Sequence, residues 1–186
     1  MEAYEAIMTR RSVARTTDEV PDREQIQRLL DAAVRAPTHH LTQPWRFVVL
    51  AGDARDELGA AWAAGQELTG KDTTGLAEKT RRAPVIVCVI ERPHLTNPKC
   101  VEVEEHYAVG AAMQNVLLAA HALGLGAMIR TGPCVTMDQV REYLGAGSDE
   151  LIAGLIYVGY LASGESERPM TRRRPAAEIT EWRGWS

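Results

Sequence analysis

The sequence predicts an α+β fold, with a central sheet of about four or five strands, helices on both sides and one dominant central helix. Three observations point there. Residues 85–90, Val85-Ile86-Val87-Cys88-Val89-Ile90, are six consecutive β-branched or small apolar residues, the mark of a strand buried on both faces. Residues 101–123 have helical periodicity but are apolar nearly all round, so that helix is either central or shared with a partner chain. Further strand-like runs, 46–50, 125–130 and 151–160, are interleaved with helical stretches. No Gly-x-Gly-x-x-Gly follows any of them, which argues against a Rossmann dinucleotide fold.

In chain order, residues 2–9 form a short helix with Tyr4, Ile7 and Met8 on one side. It opens into Arg10-Arg11-Ser12-Val13-Ala14-Arg15. Three guanidinium forks and a hydroxyl suit a phosphate, or make a solvated basic turn; the residues alone leave both open. Asp22, with Gln25 three residues on, has capping-box spacing for a helix running to about Val34. Ile26, Leu29, Leu30 and Ala33 lie on its apolar face. Arg35 closes its last turn, where a cation complements the helix dipole. The next stretch, Arg35 to Trp45, contains two prolines, two histidines, an arginine, a glutamine and a tryptophan. Core packing does not need that mixture. Pro37 and Pro44 stiffen the backbone, making either a rigid cradle for a ligand with polar edges or a proline-stiffened surface loop.

A strand at 46–50 follows, then a helix over 54–69 with Leu58, Trp62 and Leu68, and a polar break at 70–75. A short helix at 76–82 precedes the buried strand, and 92–98 is a loop. Val109, Ala112, Met113, Val116, Leu117, Ala120 and Leu123 mark one face of the long helix, which Gly124 ends. A helix from Met137 to Leu144 is N-capped near Thr136. Gly154 and Gly159, inside the strand 151–160, mark close approach by another group. The tail is basic around Arg172-Arg173-Arg174.

Composition narrows the function classes. At 186 residues the chain is expected to be one domain, 1–186. A net charge of −4 argues against nucleic acid. Three cysteines without CxxC spacing argue against disulfides and point to a reducing cytoplasm. The N-terminus lacks a signal peptide's basic start and apolar core. The longest apolar run is broken by polar residues and glycines, so no membrane span is expected. A metal hydrolase using His39, His40, His94, His106 and His121 is disfavoured, because no His-x-x-x-His or His-Glu-x-x-His occurs. No metal site is expected.

Together the Arg10–Arg15 segment, Ala36–Trp45, Leu123–Ala127 with Arg130-Thr131-Gly132, and Arg173-Arg174-Pro175 resemble the nitroreductase-fold flavoproteins, in particular their short-chain branch. The resemblance spans essentially the whole chain. It implies a mostly antiparallel sheet and a domain-swapped-type homodimer holding FMN at the subunit interface. It also implies NADH or NADPH as hydride donor and a small electron-poor acceptor such as a nitroaromatic or quinone. Arg10, Arg11 and Ser12 correspond to the phosphate and ribityl grip, and Arg173 to a second phosphate contact. Arg35 and His39 correspond to isoalloxazine and ribityl contacts given in part by the other subunit. By the same resemblance Ile129, Arg130 and Thr131 form the strand edge against the ring, Gly132 offers a backbone N–H near N5, and Gln43 braces the cradle or contacts the flavin edge. No catalytic side chain is implied, since the flavin carries the hydride chemistry. His40 is a candidate proton donor, against the commoner structural role of a loop histidine. Thr16 stands where an aromatic is usual and Leu41 where an asparagine is frequent, shifting weight to Arg35 and His39. An alternative on the same fold is a non-catalytic flavin store. A flavin-destroying or dehalogenating relative would need lid residues not found here.

Overall fold

A computed structural model describes residues 1–94 and 97–185. Its elements are α1 (Ala3–Thr9), α2 (Arg23–Ala33), β1 (Trp45–Ala51), α3 (Ala54–Glu67), α4 (Leu76–Thr80), β2 (Val85–Glu91), α5 (Glu102–Ala122), β3 (Leu125–Arg130), α6 (Asp138–Tyr143) and β4 (Leu151–Tyr160). The strands form one sheet in the order β1-β2-β4-β3, and every neighbouring pair is antiparallel. Within the loop expected at 92–98, Leu95 and Thr96 lie outside the described residues.

β2 is buried along its whole length, as its unbroken apolar run requires. Alternate residues serve different layers. Val85, Val87 and Val89 join Ile156 and Val158 under α2 and α5, against Leu29, Val109, Ala112 and Val116. Ile86, Cys88 and Ile90 face the other way, with Leu58, Val140, Ile152 and Leu155 under α3 and α6. Gly154 admits α5 to the sheet: a Cβ there would lie 2.7 Å from Met113 Cε. Gly126 and Gly159 admit the segment after α1. Added Cβ atoms would meet Val13 Cγ1 at 2.6 Å and Thr16 Cβ at 2.8 Å. That segment is also tied to the sheet by Val13 N–H donating to Ala127 O and by a bridge between Thr16 and Leu161.

The Asp22–Gln25 capping box forms in both directions. Other expectations need correction. α4 stops at Thr80, two residues early. Arg35 lies beyond the last turn of α2, whose C-cap is Val34. Thr136 does not cap α6. Met137 occupies that position, and the Thr136 hydroxyl donates to Pro133 O, closing a 3₁₀ turn instead. Tyr4, Ile7 and Met8 share a face of α1, but that face is exposed; only Ala6 is buried.

Candidate functional site

The first cluster lies at the C-terminal end of α5. α1 ends at Arg10, whose backbone turns extended, so Arg10, Arg11 and Ser12 leave the helix together. Arg10 Nε is buried without a hydrogen-bond partner. Burial and the neighbouring charge of Arg173 push the Arg10 guanidinium below its ordinary pKa. Arg11 Nη1 donates to Arg168 O at 2.6 Å. His121, on α5, has a hydrogen bond with the Thr9 hydroxyl at 2.8 Å, and burial together with Arg10 and Arg11 lowers its pKa. Cations brought together with an orphaned buried donor have the chemistry an anion calls for: a phosphate would satisfy Arg10 Nε and relieve the mutual repulsion. The structure thus brings together Arg10, Arg11 and Arg173 across the full length of the chain. Ser12 is exposed beside them.

The second cluster is the cradle, against the N-terminal part of α5. His40, Leu41 and Gln43 all have positive φ, 49°, 54° and 47°. Non-glycine residues in that region cost of order 1–3 kcal/mol each and persist only where the surroundings enforce them. The restraint comes from Glu105, which is fully buried. Its Oε1 accepts from the Thr42 hydroxyl at 2.7 Å and its Oε2 from the His94 backbone N–H at 3.1 Å. Beside it, Glu91 accepts from or pairs with His106 Nδ1 at 2.6 Å, and burial holds the Glu91 carboxyl above the usual range. His39 Nε2 stands 3.6 Å from Glu104. Arg35, His39 and Gln43 present exposed side chains.

These two clusters do not meet within one chain. The cradle packs near Glu104 and Ala108 and the arginine cluster near His121. At 1.5 Å per helical residue, Ala108 and His121 are ~20 Å apart along α5.

The end of β3 splits its expected residues between two faces. Ile129 packs toward the α2/α5 layer. Arg130 points the other way, its guanidinium carbon 5.2 Å from the centre of the Tyr157 ring. Arg130 Nε is buried without a partner, and burial with the nearby Arg82 charge lowers its pKa. Thr131 and Gly132 follow in an exposed turn. Gly132, at φ 106° and ψ −157°, has a backbone that only glycine adopts readily, and no atom crowds it.

Sequence reasoning passed over Arg82, Lys79, Glu105 and the site role of His121. The available signal was Lys79-Thr80-Arg81-Arg82 directly ahead of a buried strand, a cation run with too few acids nearby in sequence to pair it. Glu105 left no such signal, since a glutamate in a helix's first turn is ordinary.

An antiparallel sheet between helical layers, with a phosphate-type cation cluster and a strained polar loop at opposite ends of one central helix, defines an α+β protein of nitroreductase type. The model of the Nitroreductase family matches residues 7–160, and the chain belongs to that family. A relative in Escherichia coli K12, provisionally named NAD(P)H nitroreductase YdjA, is 34% identical over 163 residues, covering 86% of this chain and 88% of the relative. A nitroreductase-like family protein from Bacillus cereus superposes with a TM-score of 0.85 at 25% identity, over 100% of this chain and 97% of that one. A provisionally named nitroreductase from Desulfovibrio desulfuricans, solved in complex with FMN, has a TM-score of 0.77 at 31% identity, over 100% and 99%. No helix among the described residues is long and apolar enough to cross a membrane.

Proposed function

We propose that this protein is an FMN-dependent NAD(P)H oxidoreductase that works as a homodimer and reduces an electron-poor acceptor, a nitroaromatic or quinone, by two electrons. The observation that carries the reading is the cluster of Arg10, Arg11 and Arg173, with Arg10 Nε buried and unpaired. It has the donor set of a phosphate grip, and the segment that carries Arg10 and Ser12 is joined to β3 through Val13. The FMN complex of the Desulfovibrio relative and the name of the Escherichia relative support the same cofactor and hydride donor. When bound, FMN supplies a two-electron carrier that accepts hydride from NADH or NADPH and passes it on.

The chain's own residues bind and orient. Arg10, Arg11, Ser12 and Arg173 hold the phosphate end. Gly132, free of a side chain, lets its backbone N–H approach the ring, with Ile129, Arg130 and Thr131 along the strand end. His39 stands beside Ala108, ~20 Å along α5 from His121 at that grip, so in this reading it serves, with Arg35 and Gln43, the flavin held by a second copy. The uncovered surface supports the pairing. Tyr4, Ile7 and Met8 of α1, Val103 and Tyr107 of α5, and Ile179, Trp182 and Trp185 of the tail are all exposed apolar residues, and Tyr4, Tyr107 and Trp185 expose 75%, 69% and 78%. Such an expanse marks an interaction surface. No side chain is needed as nucleophile, and reduction of the flavin is favoured by cations rather than by a protein acid.

The test is the visible spectrum of the purified protein before and after anaerobic NADPH or NADH. A flavin band that bleaches is the expected result. A band that persists would reassign the protein to flavin storage, and no band after incubation with FMN would overturn the flavin reading.

A further inference from the structure

Across the sheet from α5, a cavity of about 200 Å³ opens between α3, α4, the end of β3 and the middle of β4. Trp62, Tyr157 and Leu155 form its walls, and Lys79, Arg82 and Arg130 bring charge to it. Among the described residues no carboxylate lines it. Lys79 Nζ lies 5.1 Å from the centre of the Trp62 ring and Arg130 stacks on Tyr157, so both cations rest on aromatic faces. Among the described residues neither these two nor Arg82 forms an ion pair, whereas neighbouring Arg81 is bound bidentately by Asp56. Asp18 borders the adjoining surface hollow, together with Arg15, Arg81, Arg82 and Arg130. Two polar atoms of the wall residues, Trp62 Nε1 and Arg130 Nε, are buried with no hydrogen-bond partner. Native proteins rarely leave buried donors unmade unless a ligand or ion completes them.

Unpaired donors, unpaired cations and flat apolar walls define the complementary ligand: a planar aromatic body carrying an oxyanion. The cavity shares Arg130 and Thr131 with the strand end assigned to the flavin ring, so it lies next to the place of hydride transfer. We propose that this pocket seats the carboxylate of the electron acceptor, making flat aromatic carboxylates the preferred substrate class; this rests on the flavin reading above. Trp62 and Arg82 are then specificity-determining residues. Burial pushes the Tyr157 phenol up to about 12, so it stays protonated beside the anion. In the reaction, NAD(P)H plus a proton reduces the nitro group to nitroso; the nicotinamide is oxidised and one nitro oxygen leaves as water.

The experiment compares 4-nitrobenzoate with its neutral isostere 4-nitrobenzamide on the FMN-loaded protein, with benzoate and benzamide titrated calorimetrically as unreactive probes. A wild-type kcat/KM at least about tenfold higher for the carboxylate is expected, from one charge-assisted hydrogen bond or more. Trp62→Phe keeps the wall but removes the N–H, and Arg82→Met removes the charge. Each should draw the carboxylate-to-amide ratio toward one and weaken benzoate but not benzamide. Equal kcat/KM values in the wild type, or a ratio unmoved by both variants, would overturn the proposal. So would loss of FMN affinity in Arg82→Met without a change in the ratio, which assigns the cations to the flavin itself. If the protein takes up no FMN, the flavin reading fails. Benzoate binding to that flavin-free chain, sensitive to Trp62→Phe, would still uphold the pocket as an aromatic-carboxylate site, and its absence would overturn it.

Discussion

The two ends of α5 are built on opposite principles. At its N-terminal end the charged groups are carboxylates, and two of the three are hydrogen-bonded: Glu105 accepts from Thr42 and His94 and Glu91 meets His106, while Glu104 faces His39 at 3.6 Å and keeps Oε2 buried without a partner. The helix dipole favours negative charge there. At the C-terminal end the charged groups are cations, and Arg10 keeps a buried donor unpaired while Arg173 repels it. One end sets carboxylates against hydroxyl, amide and imidazole groups of the same chain, whereas the other sets cation against cation. The strained loop thus stands at the end where Glu105 is hydrogen-bonded on both oxygens, and the charge frustration at the end the proposed function assigns to a phosphate.

That contrast can be broken by mutation. The largest effect is expected for Arg10→Ala with Ser12→Ala, where the phosphate loses charge-assisted donors worth about 1.5–3 kcal/mol each. FMN affinity, read from the quenching of flavin fluorescence, should fall about 100-fold or more. Unchanged affinity would remove the phosphate assignment. Arg173→Ala should also weaken FMN while leaving the unfolding free energy of the flavin-free chain unchanged or raised, because it relieves repulsion.

Glu105→Ala should act in the opposite way. It strips the acceptor from the Thr42 hydroxyl and the His94 N–H, and about 3 kcal/mol of stability should disappear in urea unfolding. If that variant unfolds at the wild-type midpoint, the cradle's strain is held elsewhere. Gly126→Ala comes next. Its Cβ would stand 2.6 Å from Val13 Cγ1, and overpacking of this kind costs about 1–3 kcal/mol. It should also weaken FMN by shifting the segment that carries Arg10 and Ser12.

The smallest effect concerns pH. The folded-state pKa of His121 lies below its ordinary value of 6.5 because of burial, Arg10 and Arg11. As pH falls below 6.5 the unfolded chain takes up a proton that the folded chain refuses, so stability present above 6.5 declines until the lowered value is passed. His121→Asn should flatten that slope in thermal melts. Bound FMN should flatten it too, because the phosphate charge offsets the arginines; a slope indifferent to FMN would separate His121 from the grip.

Much of the fold was legible because burial leaves local marks. The unbroken run 85–90 identified the central strand, and the all-round apolar periodicity of 101–123 identified α5. Asp22 and Gln25 announced a helix start that the structure completes, and Gly154 and Gly159 signalled close approach before their neighbours, Met113, Thr16 and Pro84, were known. Boundaries set by competition between local bonds were less legible. Thr136 could cap or close a turn, and only the geometry after Gly132 decided for the turn. At the candidate site, Arg10 and His39 were readable as unusual residues in unusual company. Glu105 was not, because its role comes from Thr42 and His94 on other segments, and Arg82 showed only as part of a cation run whose place beside Arg130 the fold supplied.

The sequence by itself determined most elements and the layers, since hydrophobic periodicity, capping spacing and glycine placement act over a few residues, and its short motifs carried the family resemblance. Only the tertiary structure decided that Arg10 and Arg173 converge, that Arg130 turns away from Ile129 across the sheet, and that the cradle and the grip stand at opposite ends of one helix. Those are matters of long-range electrostatics and of which face a strand turns outward, and both depend on contacts between elements that are separate in the chain, as when Arg130 of β3 meets Tyr157 of β4.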